Sequence, residues 1–305
     1  MIQHFRFGSP IRTDSVVQDI PVSSDAVPFL TADADGWVYT MAPDAIVYGL
    51  GEMPRGINKR GWHYVANNTD ESHHGENKVS YYGAHNFLLI DGGPGGDLFG
   101  VFVDFPGKVH YDIGYTVHDT LRFATEEPDY ELYILTGADL NDIAHQFRQL
   151  IGRSYIPPKW AFGLQQSRWG YKTAEDVREV ARQYKENDLP LDMICMDIDY
   201  MQDYADFTIN KERFPDLAAL AAELKAQGIR LVPIIDAGVR IDPEEPTCTE
   251  GLEKGYFCKK EDGTPFVAAV WPGKAYFADF LRPEVRAWFG HRYKVLTDCG
   301  IEGFW

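Results

Sequence analysis

The sequence is poor in basic residues and lacks long hydrophobic runs. Lysine and arginine together number 29 against 46 aspartates and glutamates, which gives a formal net charge of −17 at pH 7. This deficit argues against binding to nucleic acid or anionic membranes, since both need basic patches. No stretch is apolar enough to span a bilayer, and the N-terminal residues MIQHFRFGSP contain no signal-peptide core. The sequence therefore predicts a cytoplasmic protein that binds neither nucleic acid nor a membrane.

Cysteine is also scarce. The chain has four cysteines, none of them in a C-x-x-C pair, at positions Cys195, Cys248, Cys258 and Cys299. This spacing predicts reduced thiols in a cytosolic enzyme, with a Cys248–Cys258 disulfide as the alternative. The 305 residues are 45% hydrophobic, enough to bury the cores of two domains.

Residues 1–138 are predicted to form an antiparallel β-sandwich domain. Short runs rich in valine, tyrosine, phenylalanine and isoleucine alternate with turn clusters: GWVYTM, VSYYGAHNFLLI, LFGVFVDF, KVHYDIGYTV and DYELYIL. The glycine cluster DGGPGGD, Asp91 to Asp97, precedes a strand rather than a helix and contains no G-x-G-x-x-G. It therefore predicts a hairpin loop rather than a phosphate-binding loop.

A linker is predicted over residues 139–158. Asp139 is a suitable N-cap for a helix whose apolar residues share one face, and Gly152 ends that helix. The following IPPK, Ile156 to Lys159, predicts a rigid extended joint at the domain boundary.

Residues 159–305 alternate between strand-like and helical patterns, which indicates a parallel sheet. Strands are predicted at AFGLQQS, LDMICMD, IRLVPIID and GIEGFW, separated by three helices and by an irregular insertion over 237–280. A doubly wound sheet and a (β/α)8 barrel both fit this order. A complete barrel needs about 250 residues, so the residues after the joint correspond to the first half of one.

Four aspartates lie close together after the second of these strands, at Asp197, Asp199, Asp203 and Asp206. A calcium loop starting at Asp197 would require glycine at its sixth position and glutamate at its twelfth, but those positions hold Gln202 and Thr208. Asp206 is predicted to be structural, whereas Asp199 and Asp203 fit a structural or a binding role equally well. The sequence therefore predicts no metal site.

Asp197 is the best candidate for a binding residue. It ends a buried strand, and in both architectures the binding site lies at the carboxyl edge of the parallel sheet. Trp169 and Trp305 end the first and fourth strands, and Trp271 lies in the insertion. Indoles beside a carboxylate suit a pyranose, which presents an apolar C–H face and hydroxyl groups. A single tryptophan is more often a core residue.

Five blocks of the second half resemble successive blocks of glycoside hydrolase family 31, which contains chiefly α-glucosidases together with α-xylosidases and transglycosylating relatives. The blocks are IPPKWAFGLQQSRWGY, LPLDMICMDIDYM, DFTINKERFPD, LVPIIDAG and VWPGKAYFADFLRPEVRAWF, with weaker resemblance in GLGEMPRGINKRGWHYVANNTD and YYGAHNF. The resemblance implies a β-sandwich followed by strands 1–4 of a (β/α)8 barrel. It also implies a retaining mechanism without metal or organic cofactor.

The resemblance assigns substrate-binding residues but no catalytic residue to this chain. Asp197 matches the aspartate that bonds the outer hydroxyls of the sugar in subsite −1, Ile198 and Ile234 match its apolar walls, and Trp271 and Trp305 match its aromatic walls. Asp70 fits a sandwich loop that reaches over the barrel mouth. Trp169 stands where many relatives carry tyrosine and should reshape subsite +1, which leaves a preference for α-1,4 or α-1,6 linkages open.

Trp305, the last residue, matches the tryptophan of the family's W-x-D-M-N-E block. The resemblance therefore places the nucleophile two positions further on and the acid/base later still. The chain alone is expected to be inactive, with an open strand edge that favours aggregation.

The resemblance thus predicts part of an exo-acting α-glucosidase that acts on short oligosaccharides. An α-xylosidase and a non-catalytic sugar-binding or partner-docking fragment are the alternatives. The missing half of the barrel is the expected partner, and a homo-oligomer is left open.

Overall fold

In a computed structural model, which describes all 305 residues, the chain divides into two compact units, Met1–Tyr155 and Ile156–Trp305. The first unit contains ten strands and one helix: β1 (Ile2–Phe7), β2 (Thr31–Asp33), β3 (Gly36–Thr40), β4 (Ile46–Gly51), β5 (Trp62–Ala66), β6 (Ala84–Asp91), β7 (Leu98–Asp104), β8 (Val109–Ile113), β9 (Thr120–Thr125), β10 (Tyr130–Thr136) and α1 (Leu140–Leu150).

The strands of the first unit form two five-stranded sheets, ordered β1-β10-β7-β6-β4 and β2-β3-β9-β8-β5. All paired strands are antiparallel. Alternate residues such as Val109, Tyr111 and Ile113 of β8 point into one core, as period-two patterning requires. The predicted β-sandwich is confirmed, and residues 91–97 form the expected hairpin loop between β6 and β7.

Helix α1 covers the outer face of the first sheet. The Asp139 side chain accepts a hydrogen bond from the Asp142 amide at 2.8 Å, so the predicted N-cap is confirmed. Ile143 is fully buried, and the Phe147 ring stacks on Phe87 with centroids 3.7 Å apart. The helix lies within the first unit, and the domain boundaries drawn at 138 and 158 stay a prediction.

The second unit begins with a 3-10 turn at Lys159–Phe162 and alternates strands with helices. Its elements are β11 (Gln165–Arg168), α2 (Ala174–Glu186), β12 (Met193–Met196), α3 (Leu217–Ala226), β13 (Arg230–Pro233), β14 (Gly238–Arg240), α4 (Pro246–Glu253), β15 (Val267–Val270), β16 (Gly273–Phe277), α5 (Pro283–Arg292) and α6 (Lys294–Thr297). Further 3-10 turns follow β12 at Ile198–Tyr200 and Gln202–Tyr204.

Strands β11, β12 and β13 form a parallel sheet in chain order. The ladder continues at the last residue, because the Trp305 amide donates to the Pro233 carbonyl at 3.1 Å and the Ile235 amide donates to the Trp305 carbonyl at 3.0 Å. Consecutive strands therefore add at one edge of the sheet, which is the order of a (β/α)8 barrel rather than of a doubly wound sheet.

Two helices cover one face of this sheet. Thr173 and Asp176 form the capping box predicted for α2. The α3 residues predicted to share an apolar face are all buried, namely Leu217, Leu220, Ala221 and Leu224. Both helices pack against Ile194 and Met196 of β12, so the structure confirms the predicted helical periodicity.

The insertion over 237–280 is more regular than the sequence indicated. It contains α4 and a small antiparallel sheet ordered β14-β16-β15. These strands are only three to five residues long, too short for a clear alternation of polar and apolar residues to stand out. The expectation of an irregular segment was therefore wrong.

All four cysteines are free thiols, and Cys248 and Cys258 form no disulfide. None of the helices combines the length and the apolar character that crossing a bilayer would require.

Candidate sugar-binding site

Four of the predicted site residues lie in one row across the carboxyl end of the parallel sheet. Arg168 pairs with Met196, and Met196 pairs with Pro233. The residues that follow them are therefore adjacent, namely Trp169, Asp197 and Ile234. Trp305 lies beside Ile234, because its backbone forms hydrogen bonds with the residues on either side of Ile234. Neighbouring strands lie about 4.8 Å apart, so the row brings two indoles to the same edge as the carboxylate.

Asp197 points away from the helices. Met193 and Cys195 pack with Val232 and Trp160 on one face of the sheet, whereas Ile194 and Met196 pack against the helices. Asp197 has extended backbone angles and continues the alternation of Met193 and Cys195.

The Asp197 carboxylate has one structural contact. Its Oδ1 accepts a hydrogen bond from the Ile198 amide at 2.8 Å and so caps the short turn Ile198–Tyr200. Its Oδ2 has no hydrogen bond or ion pair within the chain, and the side chain is half-buried. Asp197 can therefore stabilise the turn with one oxygen and offer the other to a ligand.

The two predicted apolar positions differ in exposure. Ile198 is buried, with 3% of its surface exposed, whereas Ile234 is half-buried at the end of β13. Of these two isoleucines, only Ile234 therefore has side-chain surface accessible to a ligand at this edge.

The three predicted tryptophans are unusually exposed for such large apolar residues. Trp169, Trp271 and Trp305 are 63%, 67% and 53% exposed, while Trp288 of α5 is 7% exposed and serves the core. None of the three therefore serves as a core residue, and their faces are free to pack against a ring.

Trp271 lies on a different element from the row. With Pro272 it forms the tip of the β15–β16 hairpin. Within the same small sheet, a Cβ on Gly238, the first residue of β14, would lie 2.4 Å from the Val270 Cγ2 atom at the end of β15. Glycine at position 238 thus leaves room for the Val270 side chain, next to Trp271 at the hairpin tip.

Asp70 belongs to the first unit and lies in the exposed segment between β5 and β6. Its Oδ1 accepts a hydrogen bond from the Tyr82 hydroxyl at 2.7 Å. Its assignment to a sugar site stays a prediction.

The other three aspartates have separate environments. Asp199 is buried 3.5 Å from the Arg213 guanidinium, and Asp203 is an exposed side chain 3.6 Å from Arg240. Asp206 is buried and accepts a hydrogen bond from the Asp236 amide at 3.0 Å. No group of three or more histidine, cysteine, aspartate or glutamate side chains is arranged to hold a metal ion.

The electrostatics at Asp206 were not foreseen from the sequence. Burial and the neighbouring charge of Asp236 raise the pKa of Asp206 to about 8. Burial also raises the pKa of Asp236. The interleaved apolar residues of YADF hint at burial, but the contact with Asp236 depends on how two loops fold together.

Family models match both parts of the chain. The model described as "Glycosyl hydrolases family 31 TIM-barrel domain" matches residues 154–305. The model described as "Glycosyl hydrolase 31 N-terminal galactose mutarotase-like domain" matches residues 21–112.

Two curated relatives are similar over most of the chain. Alpha-glucosidase 2 of Bacillus thermoamyloliquefaciens is 40% identical over 260 residues, which is 85% of this chain and 32% of that protein. Alpha-xylosidase 1 of Arabidopsis thaliana is 30% identical over 274 residues, which is 87% of this chain and 29% of that protein. The chain spans about a third of the length of these relatives.

A solved structure of a dextranase from Flavobacterium johnsoniae, in complex with isomaltotriose, superposes with a TM-score of 0.80 at 25% identity. It covers 92% of this chain and 34% of the dextranase. With both of its units matched by models of one family and a fold shared with that family's solved structures, the chain belongs to glycoside hydrolase family 31.

Proposed function

We propose that this chain forms the β-sandwich and the substrate-binding start of the barrel of an exo-acting, retaining α-glucosidase. The enzyme would remove single α-glucose units, joined by α-1,4 or α-1,6 bonds, from the ends of short oligosaccharides. The row of Trp169, Asp197, Ile234 and Trp305 across four successive strand positions carries this proposal. The 40% identity to alpha-glucosidase 2 supports glucose as the sugar.

Asp197 is proposed to orient the sugar rather than to attack it. Its Oδ1 accepts a hydrogen bond from the Ile198 amide, while its Oδ2 makes no hydrogen bond or ion pair within the chain. A carboxylate in this state accepts strong, charge-assisted hydrogen bonds from sugar hydroxyls. The exposed indoles of Trp169 and Trp305, at the two ends of the row, then supply apolar faces for the pyranose C–H groups.

The reacting carboxyls are proposed to lie outside residues 1–305. A retaining glycosidase needs two carboxyl groups about 5–5.5 Å apart that flank the glycosidic bond. The neighbours of Asp197 in the row are Trp169 and Ile234, followed by Trp305, and none of these is acidic. The row thus supports binding and orientation of the glycoside but offers no second carboxylate.

An α-xylosidase is the second candidate, because alpha-xylosidase 1 of Arabidopsis thaliana is 30% identical over nearly the same span. A xyloside lacks the hydroxymethyl group of a glucoside. The two activities would differ in the space left for that group rather than in the row itself.

The test uses the longer protein that combines this chain with the rest of its barrel. We expect hydrolysis of p-nitrophenyl α-glucoside with a kcat/KM at least about tenfold above that for the α-xyloside, on the scale of one buried carbon group. We also expect glucose as the first product from maltose or isomaltose.

A higher kcat/KM for the xyloside would instead establish the α-xylosidase. Binding of methyl α-glucoside without hydrolysis of either substrate would establish a sugar-binding protein. The 305-residue chain alone is the control, and we expect it to be inactive. Turnover by this chain would place the reacting carboxyls within it.

A further inference from the structure

Two side chains that follow Asp197 hold the backbone at the end of the neighbouring strand. The Tyr200 hydroxyl donates to the Ile234 carbonyl at 2.7 Å, and the Asp236 amide donates to Asp206 Oδ1 at 3.0 Å. Tyr200 is fully buried and Asp206 is 4% exposed. The loop after β12 therefore fixes residues 234–236 through two buried hydrogen bonds, next to the row that contains Asp197.

The segment that presents Asp206 has an unusual backbone. Asp203, Tyr204 and Phe207 all have positive φ angles, between 50° and 62°, although none is glycine. Such residues persist only where surrounding contacts determine the conformation, and they cluster at functional sites. Here Phe207 is buried against the rings of Phe289 and Tyr293. The direction of the Asp206 side chain is thus set by packing on α5.

Asp206 has no cationic partner. The charged and titratable groups that act on it are Asp236 after β13, Glu245 at the start of α4, Tyr200 of its own loop and Tyr293 after α5. The Oδ2 atoms of Asp206 and Asp236 are both buried without a hydrogen-bond partner. Two carboxylates buried together without a cation repel each other, whereas a pair that holds one proton does not.

We propose that Asp206 is a positioning residue for the sugar site: its buried carboxyl accepts the hydrogen bond of the Asp236 amide, fixes residues 234–236 and so keeps Ile234 beside Asp197. Its importance for sugar binding rests on the proposed function. Its importance for the β13 loop does not.

The sign of the pH effect follows from the direction of the shift. Burial and Asp236 raise the pKa of folded Asp206 to about 8, above its value in the unfolded chain. The protonated form of Asp206, which does not repel Asp236, is therefore fully present at pH 6 and is lost as the pH rises through about 8. At pH 9 only about one molecule in ten keeps the proton, so the apparent sugar affinity falls by about tenfold relative to pH 6.

The first measurement follows the ¹H–¹⁵N resonance of the Asp236 amide with pH in the 305-residue chain. We expect a titration with a midpoint near 8 that disappears in Asp206→Asn, since an amide side chain keeps the acceptor and cannot ionise. Asp199→Asn is the matched control, because Asp199 is equally buried in the same loop but contacts Arg213 instead of β13. It should leave the titration unchanged. A midpoint below pH 5 in the wild-type chain would overturn the role of protonated Asp206 in holding residues 234–236.

The second measurement is calorimetric binding of methyl α-glucoside, which has no titratable group. Affinity should fall with rising pH in the wild type, stay constant in Asp206→Asn, and be low at every pH in Asp206→Ala. A folded Asp206→Ala variant that binds as tightly as the wild type would overturn the positioning role. If the wild type does not bind at any pH, the proposed function fails. The titration of the Asp236 amide resonance then tests by itself whether Asp206 positions the loop after β13.

Discussion

Asp197 combines two contacts that substitution can separate. Its Oδ1 caps the turn Ile198–Tyr200, and its Oδ2 is proposed to bind the sugar. Asp197→Ala removes both, whereas Asp197→Asn keeps an oxygen for the Ile198 amide but loses the charge. We therefore expect Asp197→Ala to lower the free energy of unfolding by about 1 kcal/mol and Asp197→Asn to leave it nearly unchanged.

Both variants should bind methyl α-glucoside more weakly, and in the complete enzyme Asp197→Ala should lower turnover by about 100-fold, the cost of lost positioning. Asp203→Asn is the control, because Asp203 is an exposed aspartate of the same stretch. It should change neither stability, measured by chemical denaturation, nor affinity. Near-normal turnover in Asp197→Ala would leave Asp197 with the turn as its only role.

At the residue scale the sequence indicated the position of Asp197 well but its surroundings poorly. A carboxylate at the end of a buried strand can be recognised from alternation alone, and the structure places Trp169 and Ile234 beside it. The burial of Asp206 against Asp236 could not be predicted, because it depends on two loops whose backbone includes three residues with positive φ.

At the scale of elements, Gly238 of β14 leaves room for Val270, the last residue of β15 before the hairpin tip. A Cβ there would meet the Val270 Cγ2 atom at 2.4 Å, and valine has little freedom to rotate away. We expect Gly238→Ala to cost about 1–3 kcal/mol of stability through overpacking. It should also weaken binding of methyl α-glucoside, because the hairpin carries Trp271 at its tip.

The double variant Gly238→Ala/Val270→Ala removes the clash and should recover most of the lost stability and affinity. Gly290→Ala is the matched control, because a Cβ at this position of α5 meets no atom within 4 Å and alanine favours the helix. Thermal unfolding and calorimetric titration provide both readouts. A stable Gly238→Ala variant with unchanged affinity would show that the hairpin does not contribute to the site.

Helices were predicted from sequence more completely than strands. The caps at Asp139 and Thr173 lie beside the helices they begin, so local sequence was enough to locate α1 and α2. The sequence pattern does not indicate five of the sandwich strands, β1, β2, β4, β5 and β9. In β9, for example, only Leu121 and Phe123 face the core, and the residues between them are less buried. Two apolar residues are too short a pattern to indicate a strand, and β9 forms through its pairing with β3 and β8.

At the scale of the whole molecule, each unit contains its own hydrophobic core. The buried clusters of the sandwich use residues of 1–155 only, and those of the second unit use residues of 156–305 only. The chain between them is exposed, with Tyr155 and Ile156 more than 80% accessible. The division was foreseeable because the pattern changes from short strands to alternating strands and helices near this point.

The separate core of the sandwich predicts that residues 1–155 fold without the rest of the chain. Both of its sheets are complete within this segment, and α1 covers the outer face of one of them. We expect the segment to unfold in a single cooperative transition with a β-type circular dichroism spectrum. Leu121 is fully buried, so Leu121→Ala should cost about 2–5 kcal/mol in the segment and in the 305-residue chain alike. A segment without a cooperative transition, or a Leu121→Ala cost confined to the longer chain, would mean that the sandwich needs residues beyond 155 to hold its core.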